Sequence, residues 1–372
     1  MAAKYKRIFF TVTNDLVTDQ RMQRISQTLA SSGWEVTLIG RKLVKGQKSE
    51  EFYQNVRSIR FSLLFNKGKL FYLEYNLRLF MFFLFKKKYL LSAIDFDTLP
   101  NALMLKTLMG RDFVLDSHEY FTEVPELQGR SFSKSIWKSL GKTAVPKAKL
   151  CYTVNQSLAT ILSKEFGNNF DYIRNLPYAM PWEERKTSES GQKIILYQGA
   201  LNVGRGLEQG IDALKSLPAD YVLWIAGGGD IEKELRNKVA HLGMNDSVVF
   251  LGRLSPDELQ KITLQAWCGL NVLEGESSNY YYSLANKFFD YVNAGVPAIN
   301  MSFPEYINHN KEFEVSVLIE KCSTEAIAAA IPKLEEPEFY QRLTANCKKA
   351  SAVWNWENES EKLISLYQPF KE

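Results

Sequence analysis

Short runs of β-branched and aromatic residues alternate with segments of helical period along the chain, and this alternation constrains the fold most. The runs lie at 8–12, 36–39, 113–115, 150–154, 194–197, 221–226, 248–251 and 269–273. Strands that alternate with helices pair in parallel and carry helices on both faces of their sheet. The sequence therefore predicts doubly wound α/β domains, with ligand sites at the carboxyl ends of the strands.

The length of the chain and one polar stretch divide it into two parts. At about 150 residues per domain, 372 residues leave room for two domains that each bury a core. Residues 181–192 are mainly charged, with Ser, Thr and one Gly, which is typical of a linker. We predict a first domain over 1–180, a linker over 181–192 and a second domain over 193–350.

Several classes of function are disfavoured by what the sequence lacks. The four cysteines form no CxxC pair and the three histidines form no HExxH cluster, which argues against a zinc site and a disulfide framework. The loop after the first run, residues 13–15, lacks GxGxxG, which argues against a nicotinamide-dependent enzyme. No apolar stretch typical of a signal peptide precedes residue 8, so we expect a cytoplasmic protein.

A basic and aromatic segment spans residues 67–88. Apolar residues at 70, 73, 77, 80 and 84 form one face of a predicted helix, and residues 41–90 carry twelve Lys and Arg against three Glu. The uninterrupted apolar run is too short to cross a bilayer. The segment is either a core helix with a cationic rim or a helix that lies on an anionic membrane surface. No nucleic-acid-binding motif accompanies the charge, so we expect no nucleic-acid partner.

Two loops have the composition of anion sites. After the run at 194–197, Gly199, Gly204 and Gly206 allow close backbone approach, Arg205 adds a cation, and a predicted helix begins near Gly206. Taken alone, this loop could equally be a tight turn.

The second candidate spans 274–300, where Ser283 is a predicted N-cap and Asp290 follows about two turns later. A third loop, Gly227 to Asp230, follows the run at 221–226, and such a turn is more often structural.

These segments together resemble the retaining glycosyltransferases of family 4. The blocks that carry the resemblance are NDLVTDQRMQRISQTLASSGWEVTLIG, FDTLPNALMLK, LDSHEYF, YTVNQSLATIL, IRNLP, YQGALNVGRGLEQGIDAL, WIAGGGD, VVFLGRL and YYYSLANKFFDYVNAGVPAI. The resemblance implies the GT-B fold, in which two Rossmann-like doubly wound domains face a central cleft. It also implies that residues 351–372 form a helix that packs back towards the N-terminal domain.

The resemblance assigns roles to residues by position. It implies catalytic roles for His118, which matches the histidine associated with the donor sugar, and for Arg205, which matches the residue on the donor phosphates. The implied donor-binding residues are Gly199, Gly204, Arg205, Gly228, Tyr282, Ser283, Leu284, Lys287 and Asp290. Asp290 matches the acid on the ribose, and the implied acceptor-side residues are Asn14, Asp15, Arg21 and Asp97. No metal or other cofactor is implied, because the nucleotide sugar is a substrate.

Two positions depart from the pattern of the family. Tyr282 stands where the first acid of E-x7-E is expected, and Ala200 stands where a basic residue often follows the glycine. A nearby glutamate, Glu274 or Glu276, could replace the acid, and Lys287 could supply the missing positive charge. Alternatively, the protein is a catalytically inactive GT-B-like partner or regulatory protein.

The expected activity is that of a hexosyltransferase-type enzyme. It would move a sugar from a nucleotide-diphosphate donor to a glycan or lipid-linked acceptor with retention of configuration, as in polysaccharide biosynthesis. The basic segment at 67–88 extends this expectation to peripheral attachment on the inner face of a membrane.

Overall fold

The computed structural model describes residues 4–14, 16, 19–44, 46–124, 127, 129–182 and 191–372. The chain forms two compact units. One unit comprises Met1–Asn175 and Asn358–Glu372, and the other comprises Leu176–Glu357. In each unit a parallel sheet is covered by helices, which confirms the predicted α/β class.

The described part of the first unit contains one eight-stranded sheet. Its strands are β1 (Arg7–Thr11), β2 (Glu35–Arg41), β3 (Glu50–Tyr53), β4 (Val56–Phe61), β5 (Tyr89–Ile94), β6 (Phe113–Ser117), β7 (Leu150–Thr153) and β8 (Phe170–Tyr172). They are ordered β3-β4-β2-β1-β5-β6-β7-β8, and the β3–β4 pair is antiparallel whereas the other pairs are parallel. The strand order reverses between β1 and β5, so the loops that follow these two strands flank a ligand-binding crevice.

In the described residues before 176, the α-helices that cover this sheet are α1 (Gln20–Ser31), α2 (Gly68–Phe83), α3 (Leu99–Met109), α4 (Ser131–Ala144) and α5 (Gln156–Phe166). Their ends follow local chemistry. The Asp19 side chain accepts from the backbone N of Met22 at the start of α1, and the Asn155 side chain does the same for Leu158 at the start of α5. Gly167 ends α5 in the left-handed conformation that glycine favours.

The described part of the second unit contains a six-stranded parallel sheet. Its strands are β9 (Lys193–Gln198), β10 (Tyr221–Ala226), β11 (Val248–Gly252), β12 (Cys268–Asn271), β13 (Ala298–Met301) and β14 (Ser316–Ile319), in the order β11-β10-β9-β12-β13-β14. The helices are α6 (Leu207–Leu214), α7 (Glu232–His241), α8 (Pro256–Thr263), α9 (Ser278–Tyr281), α10 (Asn286–Asn293), α11 (Pro304–Glu312), α12 (Thr324–Ala330) and α13 (Pro337–Val353). Here the order reverses between β9 and β12, which brings both predicted anion-binding loops to one crevice.

The last helix, α14 (Trp356–Tyr367), leads from the second unit into the first. The Tyr367 hydroxyl lies 3.3 Å from Ser92 Oγ on β5 and 3.1 Å from the hydroxyl of Tyr152 on β7. Glu359 accepts two hydrogen bonds from the Arg174 guanidinium and a third from the Arg174 backbone N. Residues 358–372 are thereby fixed to the first sheet.

The units divide a few residues away from the predicted boundaries of 180 and 351. Leu176 is fully buried in the core of the second unit, and the Pro177 carbonyl accepts from the Trp356 backbone N at 2.7 Å. The chain therefore joins the second unit at 176, because an apolar side chain anchors it there. Of the expected linker over 181–192, residues 183–190 lie outside the described residues.

We expect Glu359→Ala to lower the free energy of unfolding of the first unit by about 2–3 kcal/mol, because the Arg174 guanidinium and amide lose their acceptor. Urea denaturation and hydrogen exchange of the α14 amides measure this loss. Glu361→Ala removes an exposed carboxylate from the same helix and serves as the matched control, with an effect of roughly 0.5 kcal/mol or less. Equal effects of the two variants would contradict this role for Glu359.

Candidate functional site

The carboxyl end of β6 carries a buried cluster of charged side chains. Asp116 Oδ1 accepts from Arg21 Nη2 at 3.0 Å, and its Oδ2 lies 3.1 Å from His118 Nε2. Burial opposes ionisation of Asp116, but Arg21 and His118 outweigh it and hold the pKa below its usual value. Arg21 also donates to the Ile173 carbonyl at 2.7 Å. Arg21 is therefore a buried partner of Asp116 and lies behind the surface of the crevice.

His118 lies between two carboxylates, Asp116 and Asp95. Its backbone N donates to Asp95 Oδ1 at 2.6 Å, and its Nδ1 lies 3.8 Å from Asp95 Oδ2. Burial lowers the pKa of His118, but the two carboxylates outweigh it and raise the pKa to about 9. The imidazole side chain is still 16% exposed. His118 is thus a positively charged group at the crevice.

Asp95 holds a backbone conformation that is unusual for a residue with a side chain. Its φ is 53°, in the region that favours glycine, and its backbone N donates to the Asp116 carbonyl at 2.8 Å. Burial raises the pKa of Asp95 above its usual value, and the neighbouring His118 opposes this effect. Neither Asp95 nor Asp116 was among the predicted site residues, and Asp116 lies within strand β6. The LDSHEYF block was the available signal for Asp116.

Asp97 lies in the loop between β5 and α3. It links this loop to the loop after β1, at the place where the strand order reverses. Its Oδ2 accepts from Thr13 Oγ1 at 2.6 Å, and Thr13 follows β1. Burial raises the pKa of Asp97 above its usual value. Its other oxygen, Oδ1, is buried and has no hydrogen-bond partner within the described chain. The structure thus leaves one acceptor atom of Asp97 for a ligand hydroxyl.

The remaining predicted acceptor-side residues lie in the loop after β1. Asn14 is exposed, and its Nδ2 donates to Asp19 Oδ2 at 3.2 Å. Asp15 lies outside the described residues. Arg41, which was not predicted, donates from Nε to the Thr13 carbonyl at 2.8 Å and supports this loop.

In the second unit, the loop after β9 packs against the loop after β10, backbone to backbone. A Cβ at Gly227 would lie 1.8 Å from the Gly199 carbonyl oxygen, so no side chain fits there. The Gly228 carbonyl accepts from the Leu201 backbone N at 3.2 Å. The triple-glycine turn therefore has a structural role, since it supports the loop that contains Gly199.

Two cationic side chains lie at this loop. The Arg205 guanidinium lies 5.0 Å from the centre of the Tyr280 ring, and Lys287 Nζ lies 3.7 Å from the centre of the Tyr197 ring. Lys287 Nζ is also 3.5 Å from the place where a Cβ of Gly199 would stand. Within the described chain, neither cation forms an ion pair with a carboxylate.

Lys287 is almost completely buried, with 7% of its surface exposed. Burial, and after it the positive charge of Arg205, lower the pKa of Lys287 well below its usual value, while Asp290 opposes this effect. An arriving anion would favour the charged form of this amine. Lys287 lies beside Gly199, and its expected role in supplying the charge absent at 200 stays a prediction.

Asp290 lies on α10 and is held by the end of β9. Its Oδ2 accepts from Gln198 Nε2 at 2.8 Å, and Gln198 Oε1 accepts from Thr263 Oγ1 at 2.9 Å. The predicted role of Asp290 on a ribose stays a prediction. Gly204 lies beside Glu274, whose backbone N donates to the Gly204 carbonyl at 3.0 Å. Of the two nearby glutamates, Glu274 therefore borders this loop, whereas Glu276 is exposed.

The predicted N-cap at Ser283 is wrong. The hydroxyl and the backbone N of Ser283 both donate to the Tyr280 carbonyl, so Ser283 closes the turn of α9, and α10 begins later with Ala285 as its N-cap. Leu284 packs against the core of the second unit. Tyr282 makes an edge-to-face contact with Tyr281, with 4.9 Å between the ring centres.

Comparison with known proteins identifies the class. Residues 181–352 match the family described as glycosyl transferases group 1. Over 199 residues the chain is 24% identical to an uncharacterized glycosyltransferase of Methanocaldococcus jannaschii, a match that covers 51% of this chain and 50% of that protein. The chain thus spans about half the length of this curated relative. The matched residues lie within the second unit, and the match confirms the resemblance to group 1 glycosyl transferases.

Solved structures show that the fold extends over the whole chain. Sucrose-phosphate synthase from Thermosynechococcus elongatus superposes with a TM-score of 0.80 at 16% identity, over 98% of both chains. HepE of Anabaena in complex with UDP-glucose has a TM-score of 0.74 at 13% identity, over 98% of this chain and 99% of that one. WaaG, a glycosyltransferase involved in lipopolysaccharide biosynthesis, has a TM-score of 0.72 at 14% identity, over 96% and 99%. The fold is GT-B, as predicted.

We expect the His118 imidazole to stay protonated through neutral pH and to titrate at about pH 9. This pKa lies above the value of about 6.5 in the unfolded chain, so the stability that the charged imidazole contributes is fully present below about pH 6.5. It is lost as the pH rises through about 9. NMR titration of the histidine rings, assigned with His118→Gln, measures this pKa.

Asp116→Asn tests the origin of the shift, because it removes the carboxylate that contributes most to the raised pKa. The His118 pKa should fall by at least one unit in this variant. A wild-type pKa near 6.5, or no change in Asp116→Asn, would refute the charged cluster.

Proposed function

We propose that the protein transfers a sugar from a nucleotide-diphosphate donor to an acceptor hydroxyl with retention of configuration. The observation that carries this proposal is the pair of cations, Arg205 and Lys287, at the glycine loop after β9. HepE has been solved with UDP-glucose, and this supports a nucleotide sugar as the donor class. The base and the sugar are left to experiment.

The proposed mechanism assigns the donor diphosphate to Arg205 and Lys287. Negative charge develops on the diphosphate as the bond to the sugar breaks, and fixed cations stabilise that charge more in the transition state than in the ground state. The backbone around Gly199 and Gly204 admits close approach of the phosphates, and the amide of Leu284 offers one further donor. Asp290, oriented by Gln198, would accept hydrogen bonds from the ribose hydroxyls.

The first unit would supply the acceptor side. The free Oδ1 of Asp97 is placed to accept a hydrogen bond from an acceptor hydroxyl. The charged His118 ring would donate to a sugar oxygen of the donor, and Asp95 and Asp116 fix its orientation. Asn14 would border the acceptor, and the role of Asp15 stays a prediction. This chemistry needs no metal or other cofactor, so we expect the activity to persist in a chelator.

We expect Arg205→Ala to lower the turnover of the nucleotide sugar by at least ~10²-fold, the effect of removing one preorganised donor to developing charge. Lys287→Met should have a comparable effect. Arg236→Ala is the matched control, since this arginine pairs with Glu232 on the surface of the same unit and should retain full activity. The assay measures transfer and hydrolysis of UDP-, GDP- and ADP-sugars, and NMR of the product reports the anomeric configuration.

One observation favours a second candidate function, a catalytically inactive GT-B-like partner or regulatory protein. Tyr282 stands at the position of the first acid and contacts Tyr281 instead of offering a carboxylate. Such a protein would bind a nucleoside diphosphate but turn over none of the sugars in the panel. Turnover that depends on Arg205 excludes this alternative, and near wild-type turnover of Arg205→Ala would contradict the role given to Arg205.

We further propose that the protein attaches to the inner face of a membrane through residues 67–88. The predicted helix is present as α2, and its two faces differ in burial. Phe71, Tyr75, Leu79 and Phe83 are buried in the core, whereas Leu70, Leu73, Leu77, Met81 and Leu84 are exposed. Within the described residues, no helix is long and apolar enough to cross a bilayer.

The exposed apolar face and the lysines around it suit the surface of an anionic membrane. Lys67→Gln with Lys87→Gln should weaken binding to phosphatidylglycerol-containing vesicles roughly 20- to 30-fold, at about 1 kcal/mol per cation. Lys233→Gln with Lys261→Gln removes the same charge from the second unit and should leave the binding to the vesicles unchanged. Co-sedimentation measures the binding, and equal binding to neutral and anionic vesicles would contradict the attachment.

A further inference from the structure

A pocket of about 850 Å³ lies within the first unit, bordered by α2, α3 and α4. This volume is in the range of sites for small molecules, about 300–1,000 Å³. Its walls are largely apolar and include Leu73 and Leu77 of α2, Met104 of α3, and Ile136 and Leu140 of α4. All of its lining residues belong to the first unit, whereas the donor loops belong to the second.

Three aromatic rings in edge-to-face contact line part of the pocket. Trp137 makes edge-to-face contacts with Tyr72 and with Phe121, at 5.3 Å and 5.1 Å between ring centres. Phe121 is buried, whereas Leu73, Leu77 and Ile136 at the rim are each about half exposed or more. The exposed leucines of α2 therefore continue the apolar wall of the pocket onto the outer surface of the helix.

Polar and charged side chains also border the pocket, among them Asp97, Glu119, Lys69 and Arg130. Asp97, the candidate acceptor-side carboxylate, borders the pocket, and its carbonyl accepts from Asn76 Nδ2 at 2.8 Å. Lys69 and Arg130 are exposed at the rim, and neither forms an ion pair within the described residues. A ligand that fits this arrangement has a hydrocarbon chain, an anionic group near the rim and a hydroxyl-bearing group that reaches Asp97.

We propose that this pocket binds the hydrocarbon chain of a lipid-linked acceptor, with the lipid phosphate against Lys69 and Arg130. The acceptor role rests on the proposed function, whereas the affinity of the pocket for a phosphorylated alkyl chain does not. A lipid fits better than a peptide segment, because the apolar and aromatic walls offer few partners for backbone amides and carbonyls. The continuity with the exposed face of α2 gives such a chain a route from a membrane surface.

The test is calorimetric titration of the full chain with hexyl, octyl and decyl phosphate. Each added methylene should tighten binding about three- to fourfold while the chain still lies inside the pocket. Inorganic phosphate and decanol should bind far more weakly than decyl phosphate, because each lacks one half of the recognised chemistry. Binding of inorganic phosphate as tight as that of decyl phosphate, or an affinity independent of chain length, would overturn the proposal.

Two pairs of variants locate the binding. Ser133 borders the pocket, so Ser133→Trp should fill it and weaken the binding of decyl phosphate at least tenfold. Ser135→Trp places the same side chain on the exposed face of α4 and should leave this binding unchanged. Arg130→Gln should lower the affinity for decyl phosphate about fivefold and leave the affinity for decanol unchanged. Lys142→Gln removes one positive charge elsewhere on α4 and is the control.

Nucleotide binding and thermal unfolding of each variant separate the possible failures. Ser133→Trp should retain wild-type stability and nucleotide affinity, because the donor loops belong to the other unit. If Ser133→Trp unfolds early, Arg130→Gln still decides the proposal. Wild-type affinity of both Ser133→Trp and Arg130→Gln for decyl phosphate would refute binding in this pocket, even if donor turnover is established. Loss of donor turnover with intact decyl phosphate binding would refute only the proposed function.

Discussion

The site of the first unit depends on one buried carboxylate, Asp116. An ionised carboxylate is costly to bury unless its oxygens find charged partners, and Arg21 and His118 provide them. The same contacts attach α1 to the end of β6, orient the imidazole and leave Asp95 on its other side. The conformation of Asp95, with its positive φ, is supported by its hydrogen bond to the Asp116 carbonyl. Loss of Asp116 would therefore disturb two loops of the crevice together.

The two units have the same reversal of strand order but carry different residues at it. In each, the strand order reverses beside the first strand of the sheet, and the loops at the reversal hold the candidate residues. The first unit places acids and one histidine there, which suits hydroxyl groups and sugar oxygens. The second places glycines with Arg205 and Lys287, which suits phosphates. This division agrees with the proposed separation of acceptor and donor roles.

Much of this arrangement could be predicted from the sequence. The eight predicted runs all coincide with strands, and α2 and α6 occur where the apolar spacing placed them. Strand β5 was missed because its run follows three lysines directly, and Asp116 was missed because a charged residue inside a buried strand gives no periodic signal. The predicted N-cap at Ser283 was wrong because a short helix, α9, precedes α10 and Ser283 closes the turn of α9. The burial of Lys287 depends on Tyr197, a contact distant in sequence.

The central claim is that the loop after β9 binds the diphosphate of a nucleotide, and thermal unfolding with UDP, GDP, ADP, CMP and NAD tests it most directly. A ligand at about 100 times its Kd adds roughly 2.7 kcal/mol of stability. Binding of the diphosphate at this loop should give such a shift for one nucleoside diphosphate and little shift for CMP or NAD, and the shift should be lost in Lys287→Met. No shift with any nucleoside diphosphate, or an undiminished shift in Lys287→Met, would contradict it.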